Sequence, residues 1–253
     1  MANMLTDIYS VFWVDLRVLK REWFRTLSTS LMSPLLYLVA FGFGLGSGIS
    51  FEGYSYLEFV IPGIIALTSM RISFSGVGQK LNVDRLSFRS FDECLMSPIS
   101  LYSIIIGKAL IGVVRGLLIS VAFLLMGFVV SSLMNVSLHI DIVFVVVLML
   151  SCFVFSFFGV FVSFLAKSHK DMSTVSSLVL LPMTFLSGTF FSLSQIPEAL
   201  EAVLYCLPLT HSSQCLRAVT LGQPFPWFSL LALVCFGLFF FGASMIVLKR
   251  SSI

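Results

Sequence analysis

Between Thr26 and Phe51, and again between Ile142 and Ala166, the sequence carries no charged residue. A helix crosses the hydrocarbon core of a bilayer with roughly 20 apolar residues, so either run is long enough to span it. Inside lipid every backbone group must be satisfied within the protein, which leaves helices or a closed barrel. Composition extends the same constraint to the whole chain. Of its 253 residues 58% are hydrophobic and 11% charged, against roughly 25% charged in a soluble domain. Fifteen Lys and Arg with twelve Asp and Glu cannot provide a polar surface around a soluble core of this size, so the outer surface must face lipid. The 27 phenylalanines fit lipid-facing and interhelical packing.

Four further apolar stretches, at about 59–78, 103–130, 172–191 and 226–248, complete an all-α polytopic membrane protein of six transmembrane helices in a single domain, 1–253. Arg71 interrupts the second span, Lys108 and Arg115 lie in the third, and Pro182 is near the centre of the fifth. Ahead of the first span, residues 5–25 place Leu5, Ile8, Phe12, Leu16, Leu19 and Trp23 along one helical face and Asp15, Arg17, Lys20, Arg21, Glu22 and Arg25 on the rest. That pattern predicts an amphipathic helix lying in the membrane interface. No small-residue cleavage site follows a short apolar core there, so no signal peptide is expected.

Orientation follows from where Lys and Arg fall. The N-terminus, 79–101, 167–171 and the tail hold Arg17, Lys20, Arg21, Arg25, Lys80, Arg85, Arg89, Lys167, Lys170, Lys249 and Arg250. The opposite segments, 50–58, 131–141 and 192–225, hold only Arg217. Both termini are therefore expected in the cytoplasm. Residues 192–225 are too long for a turn and rather apolar. They read as a re-entrant or interfacial helix pair broken at Pro208, with the second helix from Ser212 to Leu221. Arg217 then needs a partner, and Glu198 or Glu201 across the hairpin would supply one. With His211, these residues form a candidate outer gate, either a lock between transport cycles or a static contact. Cys206 and Cys215 lie on the same side, where a disulfide is permitted, but their spacing fixes no geometry and free thiols are expected.

Chemistry-bearing motifs are sparse. A P-loop needs GxxxxGK[ST], and Gly107-Lys108 is followed by Ala and lacks the upstream Gly. His139, His169 and His211 are scattered, and five cysteines form no CxxC pair. No metal, resident cofactor, ATP-hydrolysis site or nucleic-acid partner is expected. Segment 79–101 reads either as a solvated charged loop or as a short helix from about Phe88 to Met96, stopped by Pro98, that projects Asp92 and Glu93. An arginine at a span centre costs roughly 2.5–3.5 kcal/mol on insertion scales. Arg115 can snorkel towards the inner headgroups; Arg71, further from the membrane surface, is favoured as a contact for an anionic substrate or a lipid headgroup.

Glu93-x-Leu95-x-x-Pro98 with Gly107-Lys108, Val114-Arg115-Gly116, and the runs LSGTFFSLSQIP and CLPLTHSSQCLRAVTLG resemble membrane subunits of the type-two ATP-binding-cassette exporters. Ser187, Gly188, Phe190, Phe191, Pro197, Pro208, Leu209, His211, Arg217 and Gly222 resemble in particular the branch that exports nodulation lipo-oligosaccharides and daunorubicin-like drugs. The resemblance spans nearly the whole chain, departing at Phe91-Asp92 before Glu93. It implies a homodimer in the bacterial inner membrane, bound to two copies of a separate ATPase that holds ATP and magnesium. The ATPase would be contacted through Arg21, Arg25, Arg89, Asp92, Glu93 and Pro98. The second and fifth spans would line the substrate path, with Arg71, Ser176 and Ser187 as its candidate residues. The expected cargo is an amphipathic glycolipid, lipo-oligosaccharide or drug. The alternatives are polysaccharide export or a non-transporting membrane scaffold or regulatory subunit.

Overall fold

The computed structural model of the chain describes residues 4–45, 50–51, 54–88, 90–134, 139–191 and 198–251, with the backbone alone for 42–45, 50–51, 129–134, 198–201 and 251. It is built from helices. Helix α1 (Met4–Tyr37) passes directly into a π-helical stretch at Leu38–Leu45. The expected interfacial helix and the start of the first span are thus one continuous rod, since neither Gly nor Pro occurs before Pro34 to break it. A short antiparallel ribbon, β1 (Ser50–Phe51) with β2 (Tyr54–Ser55), leads into α2 (Tyr56–Leu86). At the start of α2 the Glu58 carboxylate accepts from the Ser55 amide at 2.8 Å, half of a capping box. There follow α3 (Ser90–Met96), α4 (Leu101–Met134), α5 (Ile142–Leu165), α6 (His169–Val175), a π-helical turn at Ser176–Leu180, α7 (Leu181–Leu186), α8 (Glu198–Tyr205), α9 (Pro208–Thr220) and α10 (Trp227–Ser251).

Among the described residues four helices are long and apolar enough to cross a membrane: α2, α4 as far as Phe128, α5 and α10. The stretch expected as a fifth span is helical from His169 to Leu186 but in three pieces. Pro182 has no amide hydrogen to return to Leu178, and just ahead of it the ladder widens, with the Leu181 amide bonding the Ser176 carbonyl five residues back. The chain turns sharply into α6 because Asp171 accepts from the amides of Lys167 and Ser168 at 2.9 and 3.0 Å while Ser168 Oγ accepts from the Asp171 amide. Those amide bonds hold the Asp171 carboxyl below the usual carboxylate range. Pro208 opens α9 instead of separating two helices before Ser212: at the first helical position its missing donor costs nothing.

Helix α2 is the hub, packed against α4, α5, α9 and α1. It comes close to α4 and α5 because those helices present glycines to it. A Cβ on Gly112 would lie 2.7 Å from the Ser73 carbonyl, and one on Gly159 would lie 2.6 Å from the Phe74 carbonyl. Gly112 and Gly116 are four residues apart on α4, the small-xxx-small arrangement that lets membrane helices approach. One apolar cluster joins α2, α5, α9 and α10 through Phe74, Phe155, Leu216 and Leu233. A second joins Leu19, Leu81, Phe91, Ile104, Phe164 and Leu248. That second cluster gathers α1, α3, the α5–α6 turn and the end of α10 at one pole, which is also where the basic segments lie. At the other pole the Tyr54 hydroxyl donates to the Leu221 carbonyl at 3.1 Å, and the His139 amide reaches Thr220 at 3.4 Å.

Gly159→Ala is expected to destabilise the detergent-solubilised protein by about 1–3 kcal/mol, seen as a lower thermal midpoint. Gly242→Ala, with nothing within 4 Å of its added Cβ, is expected to leave the midpoint unchanged or raised. Equal midpoints for the two variants would contradict the close α2–α5 approach.

Candidate functional site

From Tyr56 to Leu86 only Arg71 and Gln79 are exposed. With Thr68, Ile72 and Ser75 they occupy one face of α2, as helical spacing requires, and that face lines a cleft of about 590 Å³. Its second wall is α1, with Thr29, Ser30, Ser33 and Tyr37; its third runs along Ser176, Ser177, Leu181, Thr184 and Phe185. Hydroxyl groups therefore come from all three walls, with apolar surface between them. The cleft's one cation is Arg71, whose Nη1 donates to the Tyr37 hydroxyl at 3.5 Å. Of the sequence-derived path residues, Arg71 and Ser176 meet here. Ser187 does not: it is buried behind α9, its Oγ 3.0 Å from that of Thr189. Tyr37 and Phe185 also pack against Phe190, with ring centroids 5.6 and 6.1 Å away, and Phe41 stacks on Phe190 at 4.3 Å. An aromatic cluster thus borders the cleft.

At the basic pole a buried charge network ties three helices together. Asp15, only 2% exposed, takes Lys80 on one carboxylate oxygen and Lys108 on the other at 3.0 Å, and Lys108 also reaches Asp84 at 3.1 Å. This corrects the expectation that Asp15 sits on the polar outer face of α1. The buried stripe is Val11, Asp15 and Leu19, and a carboxylate can occupy it because two ammonium groups neutralise it there. A spacing of four on either side of Asp15 was the available signal. Arg115 does not snorkel to the membrane surface but donates sideways to the Gly76 carbonyl at 3.3 Å. Arg85 donates to the carbonyls of Ser163 and, at 3.4 Å, Ala166; His169 bridges Asn82 at 2.6 Å and Ser87 at 2.9 Å. Beyond this collar α3 stands out, with Asp92, Glu93 and Pro98 exposed, as are Arg21 and Arg25 on α1; Arg89 lies outside the described residues.

At the other pole α9 is core, not a superficial cap: Leu209, Ser212, Cys215 and Leu216 are fully buried. Arg217 donates to the carbonyls of Phe59 at 3.3 Å, Gly188 at 2.9 Å and Thr189 at 3.5 Å, and its guanidinium lies 3.5 Å from the centroid of the Phe59 ring. Gly188 supplies the positive φ of 70° that turns this segment. The Tyr56 hydroxyl donates to the Phe190 carbonyl at 3.1 Å and the Ser213 hydroxyl to Ser187 at 3.1 Å. The expected partners Glu198 and Glu201 have side chains outside the described residues. Burial pushes the His211 imidazole below its ordinary value, against an opposing bond between Nε2 and the Tyr205 carbonyl at 2.8 Å. Cys206 and Cys215 are both free thiols.

Two substitutions probe these clamps. Asp15→Ala leaves two ammonium groups without their shared carboxylate and is expected to cost about 3–5 kcal/mol, read as lost folded protein in detergent. Restoring a comparable midpoint by adding Lys80→Met and Lys108→Met would verify that the loss is electrostatic. Arg217→Lys keeps the charge but not the planar fork, so the folded yield is expected to fall. A yield equal to the parent's would mean that the carbonyl contacts hold nothing in place.

Known proteins give this geometry a context. A family model described as "ABC-2 type transporter" matches residues 6–221, from α1 through α9. The Inner membrane transport permease YadH of Escherichia coli (strain K12) is 28% identical over 226 residues, covering 84% of this chain and 85% of the relative. Nodulation protein J of Rhizobium meliloti (strain 1021) is 28% identical over 225 residues, covering 87% and 84%, and that of Sinorhizobium fredii (strain NBRC 101917 / NGR234) is 29% identical over 198 residues, covering 77% and 74%. With its long apolar helices and a match that runs through nearly all of them, the chain belongs to the ABC-2 type transporter family and is a membrane permease.

Proposed function

We propose that two copies of this chain form the membrane half of an exporter in the bacterial inner membrane, driven by two copies of a separate ATPase that bind ATP and magnesium, and that the cargo is amphipathic. The observation that carries this reading is the polar face of α2. A row of hydroxyl, amide and guanidinium groups on an otherwise buried membrane helix has to meet water, cargo or a second subunit, because lipid would leave it unsatisfied. The cleft offers a surface mixed in the same way as the cargo, hydroxyls for its head and Leu181 and Phe185 for its tail.

The remaining features supply a working cycle. The chain crosses six times with both termini inside, counting α1 and the 169–186 stretch as the spans whose interruptions, at 38–45 and 176–180, sit beside the cleft. Basic residues concentrated at the α3 pole place that pole in the cytoplasm. The ATPase docks against Asp92, Glu93 and Pro98 of the α3 region, with Arg89, Arg21 and Arg25 nearby. When the ATPase pair closes on ATP, α3 moves α1, α2 and α4 together, because Asp15, Lys80, Lys108 and Asp84 lock them. At the outer pole Phe190 closes the cleft, and Arg217 and Tyr56 hold its backbone; Glu198, Glu201 and His211 belong to the same gate. The names of the nodulation relatives agree with cargo of glycolipid type.

The test is coupling. In a complex purified with its ATPase, Glu93→Lys is expected to leave the yield of inserted permease unchanged and to remove the increment in ATP hydrolysis that the permease confers over the ATPase alone. An undiminished increment would rule out α3 as the coupling element.

A further inference from the structure

Every other basic side chain described within the four apolar helices between Tyr56 and Phe128 is engaged. Lys80 and Lys108 share Asp15, Arg85 donates to two carbonyls, and Arg115 reaches the Gly76 carbonyl. Arg71 differs. Among the described residues it makes no ion pair, its hydrogen bond to Tyr37 is long at 3.5 Å, and it is exposed on a helix that is otherwise almost wholly buried. A guanidinium inside a membrane protein without a counter-charge is costly to keep, and no carboxylate lines the cleft to neutralise it. Its surroundings are those of a binding site: Ser75 and Gln79 lie further along the same face of α2, Ser33 and Thr184 on the facing walls. A planar fork of donors matches an oxyanion, bidentate where it can be; the hydroxyls and the Gln79 amide match the hydroxyls of a sugar or glycerol.

Building on the transport reading of the cleft, we propose that Arg71 makes it selective for an anionic amphiphile: a lipid-tailed molecule whose hydroxylated head bears a carboxylate, phosphate or sulfate group. The anion sits on Arg71, the rest of the head lies among the hydroxyls, and the tail lies along Leu181 and Phe185. Arg71 determines which cargo enters; it does not take part in ATP hydrolysis.

The experiment compares two probes that differ only in the charge of the head, dodecyl glucuronide and dodecyl glucoside, titrated onto the full-length permease in nanodiscs of phosphatidylcholine. The parent protein is expected to bind the glucuronide roughly tenfold or more tightly than the glucoside, the size of one charge-assisted contact. Arg71→Gln is expected to bring the two affinities together without weakening the glucoside, and Arg71→Lys to keep part of the preference. A second series with phosphatidylglycerol in the disc separates the two sources of such a head: competition identifies a resident bilayer lipid as the occupant, and an unchanged glucuronide affinity identifies a cargo that enters on its own. Equal affinities in the parent, or a preference that survives Arg71→Gln, would overturn anion selectivity while leaving the cleft as a route. If neither probe binds, both anion selectivity and the transport reading of the cleft fall.

Discussion

The carboxylate of Asp15 is the point on which the cytoplasmic half of this permease is assembled. It is buried where a charge is hard to maintain, and it persists because Lys80 from α2 and Lys108 from α4 converge on it, Lys108 held in turn by Asp84. A buried network of this kind adds little net stability compared with apolar packing, but removing one member is expensive. Its effect is therefore one of registration. Three helices that could slide against one another in lipid are fixed in a single arrangement at the pole where α3 projects, and a push on α3 is transmitted to a block instead of to a loop.

Once α2 is fixed, the rest of the molecule is arranged around its two unlike faces. The face towards α4 and α5 is set by glycines, at Gly112, Gly116 and Gly159, that bring backbones within contact of each other. The other face carries Arg71, Ser75 and Gln79 into the cleft. Helix α9 completes the frame from the opposite pole by placing Arg217 among carbonyls of α2 and of the segment after α7. The two poles work differently: one is held by ion pairs between side chains, the other by one guanidinium satisfying backbone groups that a turn leaves open.

Much of this was legible in the sequence because lipid allows few solutions. The uncharged run at Ile142–Ala166 became α5, Pro98 did limit a short acidic helix, and the basic segments do share one pole. Periodicity alone misassigned Asp15, because an acid among basic residues reads as the wet side of an amphipathic helix until its partners, 65 and 93 residues away, are known. The outer helices were expected as a superficial pair, yet the apolar and hydroxyl residues of α9 are core. Short polar side chains such as Ser212 and Ser213 are compatible with either setting when each can bond to a neighbour. Arg71 was visible as an anomaly; that Gln79, Tyr37 and Ser176 share its cleft depended on three distant segments coming together.

The central claim is that the Arg71 face of α2 borders a route through the membrane, not a lipid-facing or sealed surface. In a background with all five cysteines replaced by serine, Ser75→Cys and Ser176→Cys can be compared with Leu238→Cys, which is 67% exposed on α10. A charged, membrane-impermeant maleimide applied to the permease–ATPase complex is expected to label both cleft positions, at rates that change when a non-hydrolysable nucleotide is bound, and to leave position 238 unmodified. Cleft positions as unreactive as position 238, with and without nucleotide, would contradict the account.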